Sequence, residues 1–120
     1  MTTKFKQPGK VIDYVAGANI TSGSVVKIGQ ILGVALADIA NGDTGPVQIE
    51  GVFEVPKVSA AVWTQGQSLT WDVSAGAFDD NAATPATGDV TGAAAVAFTA
   101  GANAETTALV KFTGVPGTVT

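Results

Sequence analysis

Hydrophobic and polar side chains alternate along most of this chain, with a period of two. Across residues 46–55, Val47, Ile49, Phe53 and Val55 fall on one side, and Gln48, Glu50 and Glu54 on the other. Successive side chains of a strand point to opposite faces, so this pattern predicts a half-buried strand. Leu69, Trp71 and Val73 alternate with Ser68, Thr70 and Asp72 in the same way, and Ala94, Val96 and Phe98 with Ala93, Ala95 and Ala97. Residues 11–16, 24–28 and 105–113 read as further strands. Residues 31–37 are apolar on both faces, which predicts a strand covered on both sides.

Turn signals separate these runs at intervals of roughly 8–15 residues. They are Thr21-Ser22-Gly23, Asn41-Gly42-Asp43, Gln65-Gly66, Ala75-Gly76 and Gly101-Ala102-Asn103. The alanine-rich residues 92–97 have helix propensity, but Val96, Phe98, Thr99 and the flanking glycines favour strand. The expected fold is all-β, a small antiparallel β-barrel or sandwich with an extended N-terminal arm. The arm spans residues 1–10, a single β-domain residues 11–114, and a C-terminal tail residues 115–120. Residues 79–89, rich in Ala, Thr, Pro and Asp, are expected to form a long, poorly ordered surface loop.

Composition narrows the function. A chain of 120 residues makes one domain. Aromatic residues are only 7%, so the core is built from small and β-branched side chains, and oligomerisation is expected to support it. Without cysteine there is no disulfide and no thiolate metal site. No apolar run approaches the roughly 18 residues of a spanning helix. The first residues lack the apolar stretch of a signal peptide, so a soluble, cytoplasmically made chain is expected. Net charge is −4, unevenly placed: Lys4, Lys6 and Lys10 give the first ten residues +3, and the rest carries −7. An acidic body argues against a nucleic-acid partner.

The chain has no His and no Arg, so most enzyme chemistry lacks its side chains. The composition suits a structural or binding module, with no catalytic residue, metal or cofactor expected. No Ser-His-Asp triad is possible, and no Gly-Lys is followed by Ser or Thr to make a phosphate loop. Asp43-Thr44-Gly45 spells the aspartic-protease triplet, yet that chemistry needs two carboxylates in a buried cleft. Here the triplet follows a hairpin turn signal, and an ordinary turn is the favoured reading. Asp38, Asn41 and Asp43 lack the spacing and closing Glu of a calcium loop. Asp79-Asp80-Asn81 reads as a solvated acidic turn before a weak cation site.

Trp71 belongs to the core by its alternation, whereas Trp63 divides between core and a possible interface. The basic arm is the best functional candidate. Lys4, Phe5, Lys6, Gln7, Pro8 and Lys10 set an apolar side chain among charges. Such a segment is either a solubilising terminus or one that orders on a partner.

Residues 4–14, Lys4-Phe5-Lys6-Gln7-Pro8-Gly9-Lys10-Val11-Ile12-Asp13-Tyr14, resemble the start of a family of small phage capsid proteins. These were first known as a prophage domain of unknown function and are now regarded as capsid cement, or decoration, proteins. Residues 23–29, 31–45, 47–57 and 65–72, the last with Trp71 before Asp72, are similar to the family's later strands and turns. Two departures are a single lysine, Lys111, in the final strand and a longer tail after Gly114. The resemblance implies a non-enzymatic virion protein, made in the host cytoplasm, on the outer surface of an icosahedral tailed-phage head. Its implied partner is the major capsid protein, with no membrane or nucleic-acid partner. The implied homo-oligomer is a trimer first and a dimer second. Lys4, Phe5, Lys6, Gln7, Pro8 and Lys10 would then bind the capsid. Alternatives are a phage adhesin or carbohydrate-binding β-domain using Trp63 and residues 79–89, another virion part of the tail or head completion, and a small aspartic protease through Asp43.

Overall fold

Three antiparallel sheets carry the fold, and the computed structural model describes residues 3–120. The first has the spatial order β1 (Val11–Val15), β4 (Thr44–Gln48), β3 (Ile31–Ala35), β2 (Val25–Ile28). The second runs β5 (Glu50–Pro56), β10 (Thr107–Thr113), β9 (Ala95–Ala97). The third runs β11 (Thr118–Val119), β8 (Val90–Thr91), β6 (Thr70–Asp72), β7 (Ala77–Asp79). The sheets curl into a half-barrel, and among the described residues there is no helix. The all-β expectation therefore holds.

The long alternating run at residues 46–55 is two strands rather than one. It breaks at Ile49, between β4 and β5. Val47 and Ile49 join a core cluster with Val26, Ala35 and Ile39, whereas Val55 and Phe53 join a second cluster around Phe78 and Phe112. The corner turns at Gly51, whose φ of +137° disfavours any side chain. A Cβ there would also stand 2.8 Å from the Gln48 Nε2. That amide donates to the Glu50 carbonyl at 2.7 Å and holds the corner.

Two other runs differ from their sequence pattern. In β9 the predicted sidedness is reversed: Ala95 and Ala97 are buried, and Phe98 is 45% exposed. The register explains this, because Ala95 pairs with Phe112 and Ala97 with Val110. Close packing wants a small residue beside each large one. In the third sheet Leu69 and Trp71 are buried as expected, but Thr70 is buried as well and Val73, past the end of β6, is exposed. Residues 31–35 are covered as the double-sided pattern predicts, and burial stops at Leu36.

The end of the chain returns to the fold. β11 pairs with β8, the Gly117 N–H donates to the Gln30 carbonyl at 2.8 Å, and the Thr120 N–H to that of Asp89 at 3.0 Å. The 79–89 loop is held at both ends. The Asp80 carboxylate accepts the N–H groups of Ala82 and Ala83, and the buried Asp89 carboxylate those of Val73 and Ala86. Each bond satisfies a backbone donor that the loop would otherwise leave bare.

Trp63 lies in the core, 2% exposed. Its indole Nε1 donates to the Thr99 carbonyl at 3.2 Å, and the Lys57 ammonium sits 5.2 Å from its ring centre. Of the two readings left open by its sequence, the core reading matches this position. The indole offers little surface to an interface.

Candidate functional site

The candidate enzymatic and metal sites find no supporting geometry. Among the described residues no group of three His, Cys, Asp or Glu side chains could hold a metal ion. Asp43 sits exposed on its turn, its backbone bonded to Ala40 and Ala16, so no buried cleft surrounds the carboxyl. The Asp38 carboxylate caps the Ser22 N–H at 2.7 Å, and the Asn41 N–H donates to the Asn19 side chain at 2.9 Å. These side chains serve turns. Asp72 also serves a turn: it accepts the Ser74 hydroxyl at 2.8 Å and the Ala75 N–H at 3.1 Å. These bonds hold its carboxyl below the ordinary value.

The arm candidates all lie outside the packed structure. Residues 3–10 contain no strand and every one is exposed, with Phe5 84% accessible. Their root is attached where the Ile49 N–H donates to the Lys10 carbonyl at 2.8 Å, beside the corner between β4 and β5. Lys10 and Lys111 line one open cleft there, together with Gln48 and Glu50.

The lysines are sorted by location. Lys27 donates to the Gly88 carbonyl at 3.0 Å. Lys57 is buried and donates to the carbonyls of Val58, Ser59 and Glu105 at 3.0–3.4 Å. The other four, Lys4, Lys6, Lys10 and Lys111, are exposed and belong to the arm or the β10 edge of its root cleft. The seven aspartates all lie on the first and third sheets or their connecting loops. Around the cleft itself both signs meet, because Glu50 lines it together with Lys10 and Lys111.

Next to that cleft, the outward face of the second sheet mixes exposed apolar side chains with charged ones. Pairing sets Leu109 beside Glu54, and Lys111 between Val52 and Val96. The Phe98 N–H donates to the Leu109 carbonyl, which brings Phe98 alongside Leu109. Val52, Phe98 and Leu109 are 41%, 45% and 36% exposed. Sequence reasoning missed this surface. Its only signal was that Leu109 alternates with Val110 and Phe112, so not all of them could face one core.

No curated protein matches the chain. The family model described as phage cement protein matches residues 6–112, from the middle of the arm to the penultimate residue of β10. The match spans nearly all of the all-β fold, and the chain belongs to the phage cement protein family.

Proposed function

We propose that this protein is a capsid cement subunit that binds the outside of an icosahedral tailed-phage head and stabilises contacts between major capsid subunits. Membership of the cement family gives the structural role in the capsid. The observation that carries the finer reading is the exposed basic arm on an acidic body, with Phe5 among its lysines. In this reading Lys4, Lys6 and Lys10 lie along an acidic groove between shell subunits. Phe5 fills an apolar pocket, with Gln7 and Pro8 leading back to the domain. The arm orders on binding, and the entropy lost there is offset by burial of Phe5 and release of water.

The protein acts as a homo-oligomer, a trimer before a dimer, because closed symmetry matches the symmetry positions of a shell. A standard contact buries about 800 Å² on each partner. Many such copies, each bridging several shell subunits, resist internal pressure together. No reaction is involved.

Heads that lack this protein provide the test. Purified full-length protein should sediment with them, and protein lacking residues 2–9 should remain in the supernatant with its thermal midpoint unchanged. Full binding by the truncated protein would remove the arm from the mechanism. Failure of the full-length protein to bind would remove the cement reading itself.

A further inference from the structure

We infer that Asn41-Gly42, on the turn between β3 and β4, is a latent deamidation site whose nucleophile the fold keeps bonded. The inference stands on this turn alone and goes beyond the cement reading. The chemistry belongs to an asparagine side chain and the backbone nitrogen that follows it. The Gly42 nitrogen bonds to the Asn41 side-chain carbonyl carbon, the bond from that carbon to the amide nitrogen breaks, and ammonia leaves, taking up the Gly42 proton. Water then opens the cyclic imide. The product is aspartate, or isoaspartate with the chain rerouted through the side-chain carbon. One water is consumed, one ammonia is released and one negative charge is gained.

Of the four asparagines, only Asn41 precedes a glycine. Asn19, Asn81 and Asn103 precede Ile20, Ala82 and Ala104, whose Cβ atoms crowd the attacking nitrogen. The turn also leaves the electrophile open. Asn41 is exposed, and even a Cβ on Gly42 would meet no atom within 4 Å. The nucleophile is held instead. The Gly42 N–H donates to the Ala16 carbonyl at 2.8 Å. On either side, the Asn41 N–H donates to the Asn19 side chain at 2.9 Å and the Asp43 N–H to the Ala40 carbonyl at 2.9 Å. The Gly42 nitrogen reaches the Asn41 side chain only after its bond to Ala16 breaks. Ala16 is itself buried in the cluster of Val26, Ile39 and Val47, which fixes the acceptor. The site therefore reacts in the fraction of molecules whose turn has opened.

Conversion would act back on the fold. Isoaspartate lengthens the backbone between residues 41 and 42 by one atom. Gly42 and Asp43 bracket Ala16, one donating to its carbonyl and the other accepting its N–H at 2.9 Å, and a longer chain misplaces both. The new carboxylate also joins the exposed Asp38 and Asp43 on one turn, where like charges repel. The end of the β1–β4 pair, at Val15 and Thr44, loosens as a result.

The test incubates full-length protein in warm, mildly alkaline buffer, with and without urea, and then digests it with trypsin. Residues 28–57 form one tryptic peptide, and Asn41 is its only asparagine. Conversion of amide to acid in this peptide, read by mass spectrometry, should be at least about tenfold faster in urea than in the folded protein. In urea it should also outpace the peptides that hold Asn19, Asn81 and Asn103, and Asn41→Gln should remove it. The isoaspartate form, separated by ion exchange, should melt below the unaltered protein. Asn41→Asp, with the charge but the normal backbone, should melt above the isoaspartate form. Equal rates with and without urea would overturn the protection by Ala16. No conversion at Asn41 in urea would overturn the site itself. An isoaspartate form that melts with the unaltered protein would overturn its link to the first sheet.

Discussion

The two faces of the β5–β10–β9 sheet are made from alternate residues of the same strands, and both carry large apolar side chains. They differ in how their side chains fit. On the inner face Phe112 and Val110 lie beside Ala95 and Ala97, and Phe112 meets Phe53 and Phe78 edge to face at 5.7 and 5.8 Å. Large rings fill the space that alanines leave, and Val110 and Phe112 are completely buried. On the outer face Leu109, Phe98 and Val52 stand around Lys111 with no small residue to interlock with them. Hydrophobicity alone does not make a core. Complementary size does, and without it large apolar side chains stay exposed.

The most direct way to break this comparison is to empty both faces. Phe112→Ala should cost about 3–5 kcal/mol, because it removes a ring shared by two others and the cavity cannot close. Small domains hold only about 5–15 kcal/mol in total, so urea titration should show a large fall in the midpoint. Phe98→Ala should change stability by no more than about 0.5 kcal/mol. Equal losses in the two variants would mean that the outer face is also core, and the difference in fit between the two faces would not decide stability.

Sequence pattern revealed the strands far better than it revealed the faces. Sequence pattern locates β1, β2 and β10 because each keeps one register along its length, and β3 because it is apolar on both faces. It could not show that residues 46–55 change sheets at Ile49, because Phe53 and Val55 keep the same parity as Val47 and Ile49 while joining a different cluster. Nor could it orient β9. Ranking side chains by size put Val96 and Phe98 inside, whereas packing against Phe112 and Val110 demanded the alanines. β11 was hidden for another reason. Two residues are too short a run for any periodicity, and their pairing with β8 depends on chain nearly thirty residues earlier. The concentration of lysine in the first ten residues was legible because charge needs no register. The apolar face was not, because it exists only once three separate strands are side by side.

A smaller effect sharpens the comparison at the rim of the inner layer. Gly101 packs against the indole of Trp63, and a Cβ there would stand 2.6 Å from the ring. The ring cannot easily retreat, held by Thr99 on its nitrogen and Lys57 over its face. Gly101→Ala should therefore cost about 1–3 kcal/mol through overpacking. Urea unfolding followed by tryptophan fluorescence measures it. A neutral result would mean that Trp63 has room to move, which its burial does not suggest. Such freedom would reopen an interface role for that side chain.

The smallest effect separates fold from docking by pH. The Asp72 carboxyl is held below its ordinary value by the Ser74 hydroxyl first and the Ala75 N–H second. Its folded-state value therefore lies below that of the unfolded chain, which is near 4. Asp72 adds stability in full above the unfolded value, and that contribution drains away as pH falls through the folded value. Asp72 lies on the third sheet, remote in sequence pairing from both faces of the second. Asp72→Asn should thus flatten the acid limb of stability below about pH 4, measured as thermal midpoint against pH. Release from heads on acidification should follow the same course in the variant and the unaltered protein, since Asp72 lies on a turn of the third sheet, away from residues 3–10. If the variant instead shifted the release curve, acid dissociation would report unfolding of the cement subunit.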